Sequence, residues 1–524
     1  MNPIKNYVLP QHTNRLYKEE AISSIGLTRD IAAKINELVE AYNKLSEEDL
    51  EWKQTQEGII RKGVLYMKDN LINSLYDLMK IYDNETIKNA MMEVYGKELS
   101  DIKVFVTPQM FGATGDGVKN DINAIENAIN SLKDGDILYF PKGTYYMSGK
   151  PVEINTSNVT FAGDGLILCD YGFRPKASGF KAIGLRMECI DYSTENRAFM
   201  IDNATKEGEN PTYIKDFVFR DCYFKNFFYS VCAAGGAYSF DGTENAVGYP
   251  VRDIVIENCH SYTYENKNAG HFQCIQVENI SYINNHTYGG QNASSYNAIK
   301  GNGYIRVVGN YDFNNSYASC EIENGSGKAV ISNNTFNSKI WVDDSFDVIV
   351  NANITEGGIS ITVGSNNGDS ENVVISNNVC KNIRCEQFGT YVGGLINHIN
   401  IDSNTIKGDN THGIWIHGNA VKNAKICNNF ITGVNTNDIA IQRNEQLNCY
   451  IHNNYGNGKL ILIAGTNGKV YATDNLNVTV SGTRDSFSTS HLERVYNGLK
   501  VADENNVEWR INVNTSGEVS TYKY

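Results

Sequence analysis

An all-β solenoid is the fold class predicted for this 524-residue chain, and three observations predict it. First, an apolar–x–polar–Asn signature recurs at Ile331-Ser332-Asn333-Asn334, Val350-Asn351-Ala352-Asn353, Ile375-Ser376-Asn377-Asn378, Ile401-Asp402-Ser403-Asn404, Ile426-Cys427-Asn428-Asn429 and Ile451-His452-Asn453-Asn454. Its last Asn falls at spacings of 19, 25, 26, 25 and 25 residues, with no helical periodicity, which is the mark of stacked β coils. Second, 41 of the 67 Asn lie between 251 and 475, and Asn tolerates the left-handed backbone that tight corners need. Third, the chain is still 41% apolar and has only 8 Pro, so the many corners separate short buried strands.

In such a fold, residues about 25 apart in sequence become neighbours about 4.8 Å apart. The Ile and Val positions stack into an inward core, and the corner Asn bonds both backbone and the Asn of the next coil, which fixes the register. Degenerate copies extend the repeat backwards to Ile256-Glu257-Asn258-Cys259, Ile283-Asn284-Asn285-His286 and Val308-Gly309-Asn310-Tyr311, and a weak copy, Thr473-Asp474-Asn475, extends it forwards. Ten to thirteen coils make a rod roughly 50–60 Å long.

The elements follow in order. Residues 1–100 are read as helical: Ile31, Ile35, Leu38, Tyr42 and Leu45 keep heptad-like spacing, as do Ile60, Val64, Met67, Leu71, Leu75, Leu78 and Tyr82 with one shift. They predict either a small helical hairpin or a stalk that assembles several chains and anchors them. Residues 101–484 form the solenoid. Asp121–Lys133 reads as one amphipathic helix with Asn120 or Asp121 as N-cap, covering the open first coil. Strands follow at Ile137–Phe140 and Val159–Phe161. Residues 485–524 read as a small C-terminal β meander.

Composition excludes several function classes. A net charge of −14 argues against nucleic acid as a partner. No stretch approaches 18 consecutive apolar residues, so no membrane-spanning helix is expected. The opening MNPIKNYVLPQH lacks the apolar core of a secretory signal, and the eleven Cys form no C-x-x-C pairs. Buried thiols, assembly in a cytoplasm, no metal and no cofactor are the expectation.

At 111–129 the segment FGATGDGVKNDINAIENAI closely resembles the opening motif of the pectate-lyase-like right-handed parallel β-helix superfamily. Phe140-Pro141-Lys142-Gly143-Thr144-Tyr145 and Phe161-Ala162-Gly163-Asp164-Gly165 match the elements that follow it. The resemblance covers about residues 101–480 and implies the fold without fixing the reaction. Within that motif Asp116 and Asp121 are expected to shape the first turn and cap the helix. The C-terminal Asp503…Asn506…Trp509-Arg510-Ile511-Asn512-Val513…Gly517 resembles the tip of appendage proteins of phages infecting Gram-positive bacteria. Together these imply a homotrimeric tailspike or preneck appendage of a virion. It would bind a host cell-surface glycan or wall teichoic acid, and contact other tail proteins through its N-terminal region.

Strand alternation selects candidate site residues. Ile299, Ile322, Val342, Ile361, Ile416 and Ile441 are aligned as inward. The residues before them (Ala298, Glu321, Trp341, Ser360, Trp415, Ala440) form one outward column and the residues after them (Lys300, Glu323, Asp343, Thr362, His417, Gln442) form another. Glu321, Glu323 and Asp343 are the candidate catalytic carboxylates, because crowded carboxylates raise one another's pKa and a pair flanking a glycosidic oxygen suffices for hydrolysis. Trp341, Trp415, His417 and Lys300 are the candidate substrate-binding residues: rings for sugar faces, cations for acidic groups. Asp343-Asp344…Asp347 does not match a calcium-binding lyase cluster. The stretch Glu265–Gln276, with His260 and His271, is read as part of a longer loop and is a weaker second candidate. A depolymerase by hydrolysis, a purely binding virion protein, and a cellular polysaccharide lyase or epimerase all remain open as functions.

Overall fold

The computed structural model describes residues 105–523, except 192–195, 204–212, 236–250, 264–269, 276, 291–293, 298–302, 323–327, 344, 364–369, 388–393, 409–411, 418–419, 443–446, 457–459, 465–469, 477–478, 483–498, 503–507 and 514–518. The helical reading of residues 1–100, and with it the stalk, lies outside the described residues. So do Lys300 and Glu323.

Each coil gives one short strand to each of three parallel sheets. The first sheet runs in strict chain order from Phe105–Val106 to Val470–Thr473 with 15 described strands, the second from Asp116–Asn120 to Phe430–Thr432 with 13, and the third from Val152–Ile154 to Thr479–Gly482 with 14. Fifteen strands at the usual inter-strand spacing span about 65–70 Å. Parallel strands joined by a crossover within one sheet wind right-handed, so the chain is a right-handed parallel β-helix.

The core follows from the repeat. Ile256, Tyr282, Val307, Ile331, Val350, Ile375, Ile401, Ile426 and Ile451 pair one above the other in the first sheet, and all are buried. Each such side chain contributes about 1.5–3 kcal/mol by leaving water. Nearer the start of the solenoid, larger rings fill the interior: Phe140, Phe161, Phe173, Phe180, Phe199 and Phe219 contact one another at 5.0–6.3 Å between centroids.

The corner between the first and second sheets is built as the Asn signature predicts. Its third residue is left-handed in every coil: Asn258, Asn284, Gly309, Asn333, Ala352, Asn377, Ser403, Asn428, Asn453 and Asp474 have φ between 52° and 70°. Its fourth residue, the ladder Asn, is buried at 285, 310, 334, 353, 378, 404, 429 and 454. Two degenerate copies are corrected by this register. The coils begin at Tyr282 and Val307, one residue before the Ile283 and Val308 that the pattern suggested, because Tyr282 stands in the Ile column of one and Gly309 in the left-handed position of the other.

One α-helix, α1 (Ile122–Ser131), lies in the described residues and buries Ile122, Ala124, Ile125, Ala128 and Ile129 in the core cluster beside the first coil. Capping is shared differently from the expectation. Asn120 Oδ1 accepts the Ile122 amide at 3.1 Å, whereas the Asp121 carboxylate turns back to accept the Thr114 and Gly115 amides at 2.8 and 3.1 Å. Asp116 shapes the turn by accepting from the Val118 and Lys119 amides, which holds its carboxyl below the usual range. The helix stops at Ser131, short of Lys133, whose amide goes instead to Asp136 Oδ2.

All eleven cysteines are buried and none forms a disulfide. Strands Leu499–Ala502, Glu508–Val513 and Val519–Lys523 pair antiparallel in chain order, a meander separate from the three solenoid sheets.

Candidate functional site

The predicted columns lie on the outer side of the third sheet. Register runs Glu321–Trp341–Ser360–Arg384–Trp415–Ala440 in one column, and Asp343–Thr362–Glu386–His417–Gln442 two residues along. Between them Ile322, Val342, Ile361, Cys385, Ile416 and Ile441 stack inward, each at most 1% exposed. The alignment therefore holds for its described members, with one coil added. Ile383–Gln387 supplies Arg384 and Glu386 to the two columns, and its apolar slot holds Cys385 where the other coils have Ile or Val.

The outward side is less open than alternation alone suggests. Glu321 is 4% exposed, Asp343 3% and Thr362 4%, and Ala440 is fully buried. A hydrogen-bond chain across two coils holds the buried Asp343. Trp341 Nε1 donates to Thr362 Oγ1 at 2.8 Å, and Thr362 Oγ1 donates to Asp343 Oδ1 at 2.5 Å. Trp341 and Asp343 are alternate residues of the strand Lys339–Asp343, so one strand presents a ring and a carboxylate that Thr362 ties together.

Two aromatic clusters mark the wall. In the first, Tyr317 and Trp341 meet edge to face at 6.0 Å, and Lys339 Nζ sits 4.0 Å from the Tyr317 centroid and 4.4 Å from that of Trp341. In the second, Trp415 lies between His412 at 5.3 Å and His417 at 4.8 Å, the Arg384 guanidinium is 5.3 Å from its centroid, and its Nε1 donates to Gln442 Oε1 at 3.1 Å. Burial, and then the charge of Arg384, holds His412 below the usual imidazole range. Three register steps separate Trp341 from Trp415, about 14 Å along the sheet.

Lys339 and Arg384 were missed in the sequence. Lys339 is two residues before Trp341 on the same face, and Arg384 sits in a coil whose presence the Asn378-to-Asn404 interval requires. The weaker candidate is corrected. His271 is on a strand, not a loop, and is fully buried: its Nδ1 is 2.6 Å from Ser261 Oγ, its Nε2 2.7 Å from Gly289 O, and burial lowers its pKa to about 4. Asp347 is occupied elsewhere, accepting from Asn372 Nδ2 at 2.8 Å. Among the described residues, no three His, Cys, Asp or Glu converge as metal ligands.

Residues 105–378, just over half of the chain, match the family described as rhamnogalacturonase A/epimerase, pectate lyase-like. The chain is similar to the preneck appendage proteins of Bacillus phages PZA and phi29, with 24% identity over 293 residues covering 50% of this chain and 31% of each relative. It therefore spans about a third of the length of these curated relatives. A 44-residue stretch is 48% identical to a capsule K30/K69-specific depolymerase of Klebsiella phage K64-1, covering 8% of this chain and 6% of that protein. Among solved structures, the pre-mature bacteriophage phi29 gene product 12 aligns over 77% of this chain and 66% of its own, with 14% identity and a TM-score of 0.45.

Proposed function

The chain belongs to the pectate-lyase-like family described as rhamnogalacturonase A/epimerase, and on that premise we propose that it is a bacteriophage tailspike or appendage protein. In this reading it is a virion component, assembled in the host cytoplasm, that binds a host cell-surface polysaccharide or teichoic acid along the third sheet and depolymerises it by hydrolysis. Similarity to phage appendage proteins and to a phage depolymerase supports the virion role.

The observation that carries the site is the joining of Trp341, Thr362 and Asp343 by two hydrogen bonds, with Glu321 one register step from Trp341. The rings of Trp341 and Trp415 present flat apolar faces to pyranose C–H groups. Lys339 and Arg384 supply charge for acidic substituents, the role also proposed for Lys300, and His417 contacts substrate beside Trp415. Glu321 and Asp343 are one coil and two residues apart, so strand geometry separates their backbones by about 8 Å. Two carboxyl groups on one wall can serve as the acid and the base of hydrolysis, and their own separation decides inversion or retention. One acid protonates the leaving oxygen while the other activates the water; Glu323 is a third candidate for either role.

Incubating the protein with purified capsule, wall teichoic acid or exopolysaccharide of the host tests the enzymatic part. New reducing ends and shorter chains are expected from one of these polymers. If none is shortened while cells are still bound, the same wall serves adhesion only. We also propose a homotrimer joined through residues 1–100 and the C-terminal tip, with residues 1–100 contacting other tail proteins. Sedimentation at micromolar concentration is expected to give the mass of three chains, and a monomer contradicts this.

A further inference from the structure

The second sheet carries a stripe of aromatic side chains to which the proposed function gives no task. Three successive coils repeat one pattern on the outer side of the strands: His260 and Tyr262, His286 and Tyr288, Tyr311 and Phe313. The rings stack from coil to coil. His260 and His286 lie 4.8 Å apart with 18° between planes, His286 and Tyr311 5.7 Å apart, and Tyr288 and Phe313 5.9 Å apart at 30°. Below them Tyr223 continues the stripe, 5.4 Å from Tyr262.

Stacking alone is what any solenoid ladder does with aromatic residues, and Phe430 and Tyr455 stack just as closely farther along this sheet. The stripe is also hollow. Tyr262, His286, Thr287, Tyr288, Tyr311 and Phe313 line a depression of about 180 Å³, and Tyr311 and Phe313 remain 44% and 50% exposed around it. Concave, mostly apolar surfaces with a few convergent polar groups are ligand sites. Here the polar groups are phenol hydroxyls and imidazole nitrogens at the edges of flat rings.

Charge selects the occupant. The three coils contribute no Asp, Glu, Lys or Arg to the two columns; the charges nearest in those columns on the Tyr223 side are Arg186, which lies against the Tyr223 ring, and Lys225, which is paired with Glu188 at 2.7 Å. Burial, together with the neighbouring His286, also holds His260 below the usual imidazole range, so it is neutral at neutral pH. A base-stacking platform for single-stranded nucleic acid needs a cationic track beside its rings, which is missing among these residues. Anionic polymers gain no partner here either.

We propose that this stripe is a second saccharide-binding platform, separate from the third-sheet wall and selective for uncharged hexopyranose chains that lie along the stack with one ring in the depression. The proposal rests on the reading of the chain as a polymer binder, and deepens it by assigning a neutral sugar class to a different sheet.

Calorimetric titration of the full chain with hexasaccharides of glucose, mannose, galactose and N-acetylglucosamine, and with an anionic hexagalacturonate, tests it. At least one neutral hexasaccharide is expected to bind. Tyr288→Ala and Phe313→Ala should each weaken that binding about tenfold, with the melting temperature and the sedimentation mass unchanged. Trp341→Ala with Trp415→Ala should leave it intact, which separates failure of the stripe from failure of the third-sheet site. The proposal is overturned if no neutral hexasaccharide binds, if binding ignores the stripe variants, or if those variants dissociate an oligomer and so mark the stripe as a contact between copies.

Discussion

Asn334 and Asn353, nineteen residues apart in the chain, meet at one oxygen: Asn353 Oδ1 accepts the Asn334 backbone N–H at 3.1 Å and its Nδ2 at 2.8 Å. The same Asn334 amide also donates to Val307 O at 2.9 Å in the preceding coil. The pattern continues through Asn378, Asn404, Asn429 and Asn454, so each ladder amide ties three coils together. Asn353→Ala strips the acceptor from two buried donors and the donor from Ile331 O. Unsatisfied buried groups cost about 1–3 kcal/mol each, so a loss of about 2–4 kcal/mol is expected. Urea unfolding measures it, and a change below half a kcal/mol contradicts a ladder that holds the register.

Two buried titrating groups oppose each other in pH dependence. Burial pushes Asp312 up to about 6, despite donation from Ser319 Oγ at 2.5 Å and Thr287 Oγ1 at 2.7 Å. Its folded pKa is above the unfolded value of 3.8, so its contribution is full below about pH 4 and is lost as pH rises to about 6. His271 is lowered from 6.5 to about 4, so its contribution is full above about pH 6.5 and is lost as pH falls to about 4. Between pH 4 and 6 the slopes, about 1.4 kcal/mol per unit each, cancel. Asp312→Asn removes only the falling one. Relative to the parent, its stability should gain about 3 kcal/mol between pH 4 and 6, read from denaturant titrations across that range; parallel curves refute the assignment.

Gly163 has φ +140°, and a Cβ added there would lie 2.1 Å from Phe140 O in the neighbouring strand. That conformation and the overlap both exclude a side chain, so Gly163→Ala should cost more than about 3 kcal/mol. Gly184, also left-handed but with open space around its Cβ position, is the control: Gly184→Ala should cost about 1 kcal/mol from backbone strain alone. Equal melting points for the two variants contradict this.

Thr362 is expected to position both Trp341 and Asp343. Thr362→Val keeps its shape and removes the hydroxyl that links them. Polymer cleavage should fall about tenfold or more, since a misplaced group near the chemistry can cost about a hundredfold. Thr362→Ser should restore most of it. If Val and Ser variants cleave alike, the relay is not part of the site.

Much of the fold was legible because one residue type does two tasks at each corner. Asn is small enough to be buried there and carries the donor and acceptor that stack it, so its period prints the coil length into the sequence. The phase slipped at Ile283 and Val308 because Tyr282 and Gly309 fill positions held elsewhere by Ile and by Asn, Ala or Ser. The third-sheet columns were legible from alternation, which tells the side of a strand but not the depth. That Glu321 and Asp343 are nearly enclosed, and that Thr362 reaches Asp343 across a coil, is not encoded in spacing. Arg384 was hidden because Cys385 sits in its coil's apolar slot. The second-sheet stripe was present as His-x-Tyr, His-x-Tyr and Tyr-x-Phe at 260, 286 and 311, a repeat overshadowed by the Asn signature beside it.

The wall of the third sheet is tested most directly by assaying Glu321→Gln, Glu323→Gln and Asp343→Asn for reducing ends released from the host polymer and, in parallel, for binding to host cells. Binding should remain near the parent level in all three, while release by Glu321→Gln and Asp343→Asn falls at least about a thousandfold, the scale of losing a general acid or base together with its charge. Release at the parent rate from both of these variants would contradict the assignment of Glu321 and Asp343 as the hydrolytic pair.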